Sequence, residues 1–212
     1  MKLGIYCAGG VGRDAYDLIV RNCGYKYEDI FFVDDTTQYS EIAGVKVKRF
    51  FDIKPDKNIR FVIASGEPSG RMNLVKKLKS TGFRLETIID SNAIVSPLAT
   101  IGDGVIISPY CFVGSKALLG DNVFLQPNCI VAHDSIIGAN SVISSFCQVS
   151  GNCNIGENVY MGLASQCREK LNIGNWAVIG MGSMVLENVE EEWIVFGVPA
   201  KKYKKNIEKK IF

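Results

Sequence analysis

From Val95 to Val185 every sixth residue is apolar: Ile101, Ile107, Val113, Leu119, Leu125, Val131, Ile137, Ile143, Val149, Ile155, Met161, Cys167, Ile173 and Ile179 lie between them. In a chain that is 47% hydrophobic, a run of fifteen steps arises by chance about once in 10⁵, so it is a structural period. Four residues after these positions lie short side chains, among them Ala99, Cys111, Ala117, Cys129, Ser135, Ser141, Cys147 and Cys153. A large and a small inward position in each hexad predict a β-helix of hexapeptide repeats. The corners I-G-D-G-V, L-G-D-N-V, I-G-A-N-S, I-G-E-N-V and I-G-N-W-A recur every eighteen residues from Ile101, which makes three hexads per turn of a triangular prism. Gly104, Asn122, Asn140 and Asn158 share one corner position, as expected for a left-handed backbone conformation, and Trp176 departs from that rule. Pro97, Pro109 and Pro127 each follow a large inward position by two residues and are read as corners.

Residues 1–90 have a different grammar. Apolar strand-like runs at Lys2–Cys7, Ile30–Val33, Arg60–Ala64 and Leu85–Ile89 alternate with helix-like segments at Arg13–Asn22 and Pro68–Ser80. This alternation predicts a small parallel sheet with βαβ crossovers. The turn after the first strand reads A-G-G-V-G-R-D-A, in which Gly10, Gly12 and Ala15 fit G-x-G-x-x-A. Such glycines let the backbone approach a phosphate at a helix N-terminus. Asp34 and Asp35 end the next strand, where a ribose or base is read in such folds. Ninety residues hold one mononucleotide-binding half, suited to a nucleotide or nucleotide-sugar. The predicted architecture is therefore an α/β N-terminal mononucleotide-binding (half-Rossmann) domain over residues 1–90. A left-handed parallel β-helix over 91–190 and a C-terminal extension over 191–212 follow.

Composition narrows the partners. A net charge of +2 argues against nucleic acid, which calls for a concentrated basic face. The one charge run, Lys201–Lys210, reads either as a solvated tail or as a local attraction for a phosphate-bearing ligand. No apolar stretch approaches the roughly 18 residues of a membrane span, and the N-terminus does not read as a signal peptide. The chain reads as cytoplasmic, with no membrane partner. Seven cysteines, an odd number and without a C-x-x-C, fit unpaired core thiols in a reducing compartment. One histidine is too few for a His/Cys metal cluster, so no metal is expected.

That histidine, His133, sits in I-V-A-H-D-S-I-I-G between two inward positions, on an edge of the prism. One coil of eighteen residues further on is Gly151, stacked on the same edge. A base beside an uncovered glycine amide is the pairing that an attack on a carbonyl carbon requires.

Taken together, the glycine-rich turn, the three-sided hexapeptide helix and the closing F-G-V-P-A-K (Phe196–Lys201) resemble the bacterial sugar acetyltransferases. The nearest group is the N-acetyltransferases of nucleotide-linked 4-amino-4,6-dideoxy sugars and the sialic acid O-acetyltransferases. The resemblance implies a homotrimer with acetyl-CoA as co-substrate in the groove between prisms. It implies His133 as catalytic base with Asp134 as its acidic neighbour, a position held by glutamate in the relative that aligns best. Gly151, Leu163 and Gly180 match positions that meet the thioester and pantetheine, and Val142 stands where the family has a second, acetyl-CoA-contacting histidine. Gly9, Gly10, Val11, Asp34, Asp35 and Gly66 match positions that hold the nucleotide-sugar, with UDP or dTDP as nucleotide. The implied reaction is direct acetyl transfer to the sugar 4-amino group, with the Gly151 amide as oxyanion donor. Imidazole, with an ordinary pKa of about 6.5, suits the base role at neutral pH. Two rivals stay open: O-acetylation of sialic acid, and a non-catalytic nucleotide-sugar binder. A γ-type carbonic anhydrase on the same prism needs three histidines and is excluded.

Overall fold

A computed structural model describes residues 1–23 and 26–211, and the side chain of Cys23 lies outside the described residues. The N-terminal sheet contains β1 (Lys2–Tyr6), β2 (Asp29–Val33), β3 (Glu41–Ile42), β4 (Val45–Lys48), β5 (Ile59–Ile63) and β6 (Arg84–Leu85), in the order β3-β4-β2-β1-β5-β6. All neighbours run parallel except the β3–β4 hairpin. Helix α1 (Gly10–Cys23) follows β1, and α2 (Pro68–Ser80) follows β5.

Strand residues alternate between two cores, as a pleated sheet covered on both sides must. Phe31, Phe61 and Ile63 point to one side and pack with Leu78 of α2, Phe50 and Phe83. Leu3, Ile5, Phe32 and Val62 point to the other and meet Ala15, Leu18 and Ile19 of α1. That second core is shared with the β-helix, because Ile88, Ile106, Phe124 and Val142 of its first face belong to it.

The second half is a left-handed β-helix. Its first face stacks the two-residue strands Ile88–Ile89, Ile106–Ile107, Phe124–Leu125, Val142–Ile143, Tyr160–Met161 and Val178–Ile179. A second face runs from Ile94–Val95 to Met184–Val185, and a third from Thr100–Ile101 to Asn172–Ile173. Each strand pairs in parallel with the one eighteen residues on, for example Ile130 with Gln148. The large and small inward positions line one continuous buried core from Val105 to Val195. The five cysteines in it are free and buried; the thiols of Cys111, Cys129, Cys147 and Cys153 meet carbonyls of the next coil, as Cys129 Sγ does at Ser144 O (3.0 Å), and Cys167 Sγ meets Cys153 Sγ.

The corners are left-handed as predicted, with φ of 73° at Gly104 and 57–61° at Asn122, Asn140 and Asn158. Trp176 takes the same conformation, φ 60°, so the backbone rule holds where the residue rule fails. The asparagines add a side-chain ladder: Asn122 Nδ2 donates to Asn140 Oδ1 (2.9 Å), and Asn140 Nδ2 to Asn158 Oδ1 (3.2 Å).

Three expectations are corrected and one element is added. The fourth strand predicted at Leu85–Ile89 is two strands: Arg84–Leu85 completes the N-terminal sheet, and Ile88–Ile89 opens the first face of the β-helix. An unbroken apolar run carries no mark of a change of sheet. Helix α1 begins at Gly10 rather than Arg13, because Gly12 packs its Cα against the Cys7 carbonyl, where a Cβ would lie 2.1 Å from the oxygen. The β3–β4 hairpin was not foreseen, since its polar residues show no period. The basic run is no free tail: Ala200–Lys205 is a strand, paired antiparallel with Trp193–Gly197, and this hairpin closes the first face.

Candidate functional site

His133 lies on the corner between the second and third faces, after strand Ile130–Val131. Its backbone is clamped from both sides: Asn152 N–H donates to the His133 carbonyl (3.0 Å), and Asp134 N–H donates to Ser115 O (2.9 Å). The side chains stand at the surface, 61% exposed for His133 and 46% for Asp134. Asp134 has φ 56°, a conformation aspartate tolerates better than most residues. It places Oδ2 2.8 Å from His133 Nδ1. Aspartate, though shorter than glutamate, thus reaches the ring. Because Nδ1 faces the carboxylate, Nε2 is the nitrogen left to take a proton.

Gly151 lies directly under that ring. A Cβ on Gly151 would sit 2.7 Å from His133 Cε1 and 2.8 Å from Nε2, so only glycine lets the imidazole rest there. Among the described residues its N–H meets no protein acceptor, while its carbonyl accepts from Lys170 N–H (3.0 Å). The residue packed against the imidazole thus carries a backbone donor with no protein acceptor.

Leu163 and Gly180 lie on a different corner, between the first and second faces. They line a groove of about 660 Å³ with Met181, Phe196, Tyr203 and Lys204. Leu163 and Phe196 are about half exposed, and Phe196 stacks edge-on to Tyr203 at 5.6 Å. A Cβ on Gly180 would lie 1.8 Å from the Phe196 ring, so glycine is what lets that ring lie against the prism. Within one chain this groove and the His133 edge are separated by the width of the second face, a six-residue step of at most about 20 Å. The remaining member of the expected co-substrate set, Val142, is fully buried between the β-helix and α1 and offers no side chain to a ligand. The hexad count puts Val142 on an outward position of its strand, but the first face is covered there by the N-terminal domain.

The nucleotide-type residues follow the carboxyl ends of β2, β1 and β5, and the crevice opens between β1 and β5. These strands are adjacent, and their connections leave in opposite directions, to β2 and to β6. In open α/β sheets such a switch point is where ligands bind. Gly9 accepts the first helical bond of α1, from Arg13 N–H (3.1 Å), and positions Gly9, Gly10 and Gly66 have nothing within 4 Å of a would-be Cβ, so their backbone is open to a ligand. Gly9 and Asp34 line a cavity of about 410 Å³ with Ala8, Arg13, Thr37 and Tyr39. Arg13 and Tyr39 were not singled out by the sequence: Arg13 fills a variable position of the glycine motif, and Tyr39 stands in none. Val11 lines a different cleft, of about 350 Å³, between α1 and the β-helix, with Ser108, Phe124 and Gln126.

The two aspartates are hydrogen-bonded within the protein. Asp34 accepts from Ala8 N–H (3.0 Å), Thr36 N–H (2.9 Å), Thr36 Oγ1 (2.7 Å) and Thr37 N–H (3.0 Å). Burial pushes its pKa up, and these hydrogen bonds outweigh that and hold it below the usual range. Asp35 accepts from Tyr6 OH (2.6 Å), Lys77 Nζ (2.7 Å) and Phe50 N–H (2.9 Å), and does not line the cavity. Burial raises its pKa, but Lys77, Tyr6 and the Phe50 amide bring it down to about 2. Both carboxylates are committed to shaping the loop that walls the crevice. Among the described residues no helix is long and apolar enough to cross a membrane, and no cluster of three His, Cys, Asp or Glu is placed to hold a metal.

Residues 2–78 match the family model of the PglD N-terminal domain, and residues 83–167 that of the GMPPB C-terminal domain. The chain is 28% identical to the acetyltransferase domain of PglB from Neisseria gonorrhoeae, with 95% of this chain and 99% of that one covered and a TM-score of 0.89. The same domain in complex with acetyl coenzyme A matches at 28% identity, 95% and 98% coverage and a TM-score of 0.88. PerB from Caulobacter crescentus, solved with CoA and GDP-perosamine, shares the fold at 24% identity, 96% and 98% coverage and a TM-score of 0.87.

Proposed function

We propose that this chain, which has the two-domain architecture of the bacterial sugar acetyltransferases it resembles, is itself an acetyl-CoA-dependent N-acetyltransferase. Its acceptor is the 4-amino group of a nucleotide-linked 4-amino-4,6-dideoxy sugar. The observation that carries this reading is the stack at the prism edge: an Asp134-supported imidazole lying on Gly151, whose N–H is free. The similar PglB domain is solved with acetyl coenzyme A, and PerB with CoA and GDP-perosamine, which supports the same pair of substrates here.

In the proposed reaction His133 Nε2 takes the proton of the attacking amine as the amine adds to the thioester carbonyl. Asp134 holds the ring by Nδ1 and stabilises its charged form. The Gly151 N–H donates to the oxyanion of the tetrahedral intermediate. Collapse of that intermediate releases CoA as thiolate, which takes up the proton held by His133.

The same reading assigns the groove of Leu163 and Gly180 to pantetheine and the switch-point crevice to the nucleotide, UDP or dTDP. Because groove and base lie on different corners of one prism, two chains complete each site, as in a homotrimer. The apolar row Ile94, Phe112 and Ile130, exposed on the second face between those corners, supports that assembly. The reading places the enzyme in the cytoplasm, where acetyl-CoA and nucleotide-sugars are available.

The test is His133→Ala in a CoA-release assay with UDP- and dTDP-linked 4-amino sugars and free sialic acid. Turnover on a 4-amino sugar is expected to fall about 10²–10⁴-fold. A loss below about tenfold in a folded protein refutes the base. Acetylation of sialic acid alone, with all 4-amino sugars inert, refutes the substrate.

A further inference from the structure

The largest fully buried side chain in the described residues is an arginine. Arg71, in the first turn of α2, is 0% exposed. Its guanidinium makes five hydrogen bonds: Nε to Asn122 O (2.9 Å), Nη2 to Asn122 O (2.7 Å) and Asn122 Oδ1 (2.7 Å), and Nη1 to Ile63 O (2.6 Å) and Ser65 O (3.0 Å). Every acceptor is a neutral carbonyl. Among the described residues no carboxylate pairs with it, and its other neighbour is the Phe124 ring at 5.5 Å. Burial lowers its pKa to about 9, which leaves it charged at neutral pH.

An unneutralised buried cation is expensive, and proteins that only need to join two elements do so with apolar contacts or paired charges. Arg71 is placed where its charge has a use. It holds the carbonyls of Ile63 and Ser65 at the end of β5, and the next residue is Gly66, the open glycine on one wall of the switch-point crevice. Asp34 and Glu41 line the cavity there and keep their negative charge, Asp34 under four hydrogen bonds from neutral donors, so a diphosphate needs a cation beneath the crevice to offset them.

We infer that Arg71 is a positioning residue for the substrate's diphosphate: a fixed positive charge beneath the crevice, held there by the β-helix corner at Asn122. This rests on the reading of that crevice as the nucleotide-sugar site. The charge acts through a low-dielectric interior, so it is weakened little by salt, unlike a surface lysine. It does not touch the phosphates. Its field favours a dianion in the crevice over the neutral nucleoside, and its hydrogen bonds keep the Ser65–Gly66 turn seated.

The substitution that isolates the charge is Asn122→Asp. It keeps both oxygens that Arg71 donates to, and puts a carboxylate against the guanidinium. Asn140 and Asn158 can flip their amides so that the ladder runs in reverse. Binding of UDP, GDP and dTDP, and of the matching nucleosides, is measured by calorimetry on the full-length protein, with thermal melting as a check of fold. For the diphosphate that binds best, affinity is expected to fall about tenfold in N122D. Nucleoside affinity should stay within about twofold and the melting temperature should not fall. Equal diphosphate affinity in N122D and wild type overturns the inference, as does an equal loss for nucleoside and diphosphate, which marks a purely structural joint. Failure of the wild-type protein to bind any of the three diphosphates refutes instead the nucleotide reading beneath it. If N122D does not fold, Arg71→Lys and Arg71→Met decide. Lysine keeps the charge and should hold diphosphate affinity within about threefold, and methionine should lose about tenfold; equal losses in both overturn the inference.

Discussion

Replacing Gly151 with alanine adds a single methyl group at the most crowded point of the candidate active site. The backbone there is not in the left-handed region, so alanine is allowed by conformation and the whole effect is steric. The new Cβ would lie 2.7 Å from His133 Cε1 and 2.8 Å from Nε2. Ordinary carbon contacts lie at about 3.5–4.0 Å, so the imidazole has to move outward by about 1 Å. It has room to do so, since the side chain is 61% exposed, and stability should change by less than about 0.5 kcal/mol. The cost falls on catalysis. The movement pulls Nδ1 from its 2.8 Å contact with Asp134 and takes Nε2 off the line to the acceptor amine. A misplacement of that size costs on the order of 10²-fold, equivalent to about 2.7 kcal/mol in the barrier. G151A should therefore show kcat lowered about a hundredfold in the CoA-release assay, with an unchanged melting curve. A kcat within threefold of wild type would refute the placement of the base on Gly151, even if His133→Ala were inactive.

Two further substitutions probe the other corners of the molecule. Gly180→Ala drives a methyl group into the Phe196 ring, which must leave the wall of the 660 Å³ groove. KM for acetyl-CoA should rise about tenfold with kcat changed less than twofold, and an unchanged KM would remove this groove from the co-substrate's path. Asp35→Asn tests the loop beside the crevice. The folded carboxylate titrates at about 2, below its ordinary value of 3.8, so its contribution to stability is complete above pH 4 and is lost as the pH falls toward 2. D35N should melt lower than wild type at pH 7, and the gap should close between pH 4 and pH 2; a gap that persists undiminished at pH 2 would show that the carboxylate's charge is not what holds Tyr6, Lys77 and Phe50 together.

The candidate site was unevenly legible. His133 and Gly151 could be paired from the primary structure because the β-helix converts a spacing of eighteen into a stacking distance, with no long-range contact to guess. Leu163 and Gly180, on successive coils of one corner, were drawn from the resemblance, and the structure adds the Phe196–Tyr203 wall that makes a groove of them. Arg71 was missed because its partners are carbonyls of Asn122, Ile63 and Ser65, and a backbone acceptor leaves no mark in a sequence. Arg13 and Tyr39 were missed for a related reason: the irregular loop after β2 carries no period, and only its closure over β1 brings Tyr39 to the same cavity as Gly9. The burial of Val142 has another source. An outward position on a β-helix face is exposed by its own repeat, and becomes buried only when another domain covers it.

By itself, then, the amino-acid sequence determined what depends on local repetition: the three-sided prism, its inward residues and buried thiols, the left-handed corners, the βαβ grammar of the first half, and the edge on which the one histidine stands. Repetition is sufficient there because each coil contacts only its neighbours, so the same six-residue rule is applied again at every step. Only the tertiary structure decided how the two halves meet. It placed Ile88–Ile89 in the β-helix, buried Val142 under α1, turned Asp34 and Asp35 into loop supports, and seated Arg71 between the crevice and the Asn122 corner. Those outcomes depend on contacts between residues far apart in the chain, 51 positions from Arg71 to Asn122 and more between Val142 and the N-terminal domain, whose energy resides in packing and buried hydrogen bonds rather than in any pattern along the chain.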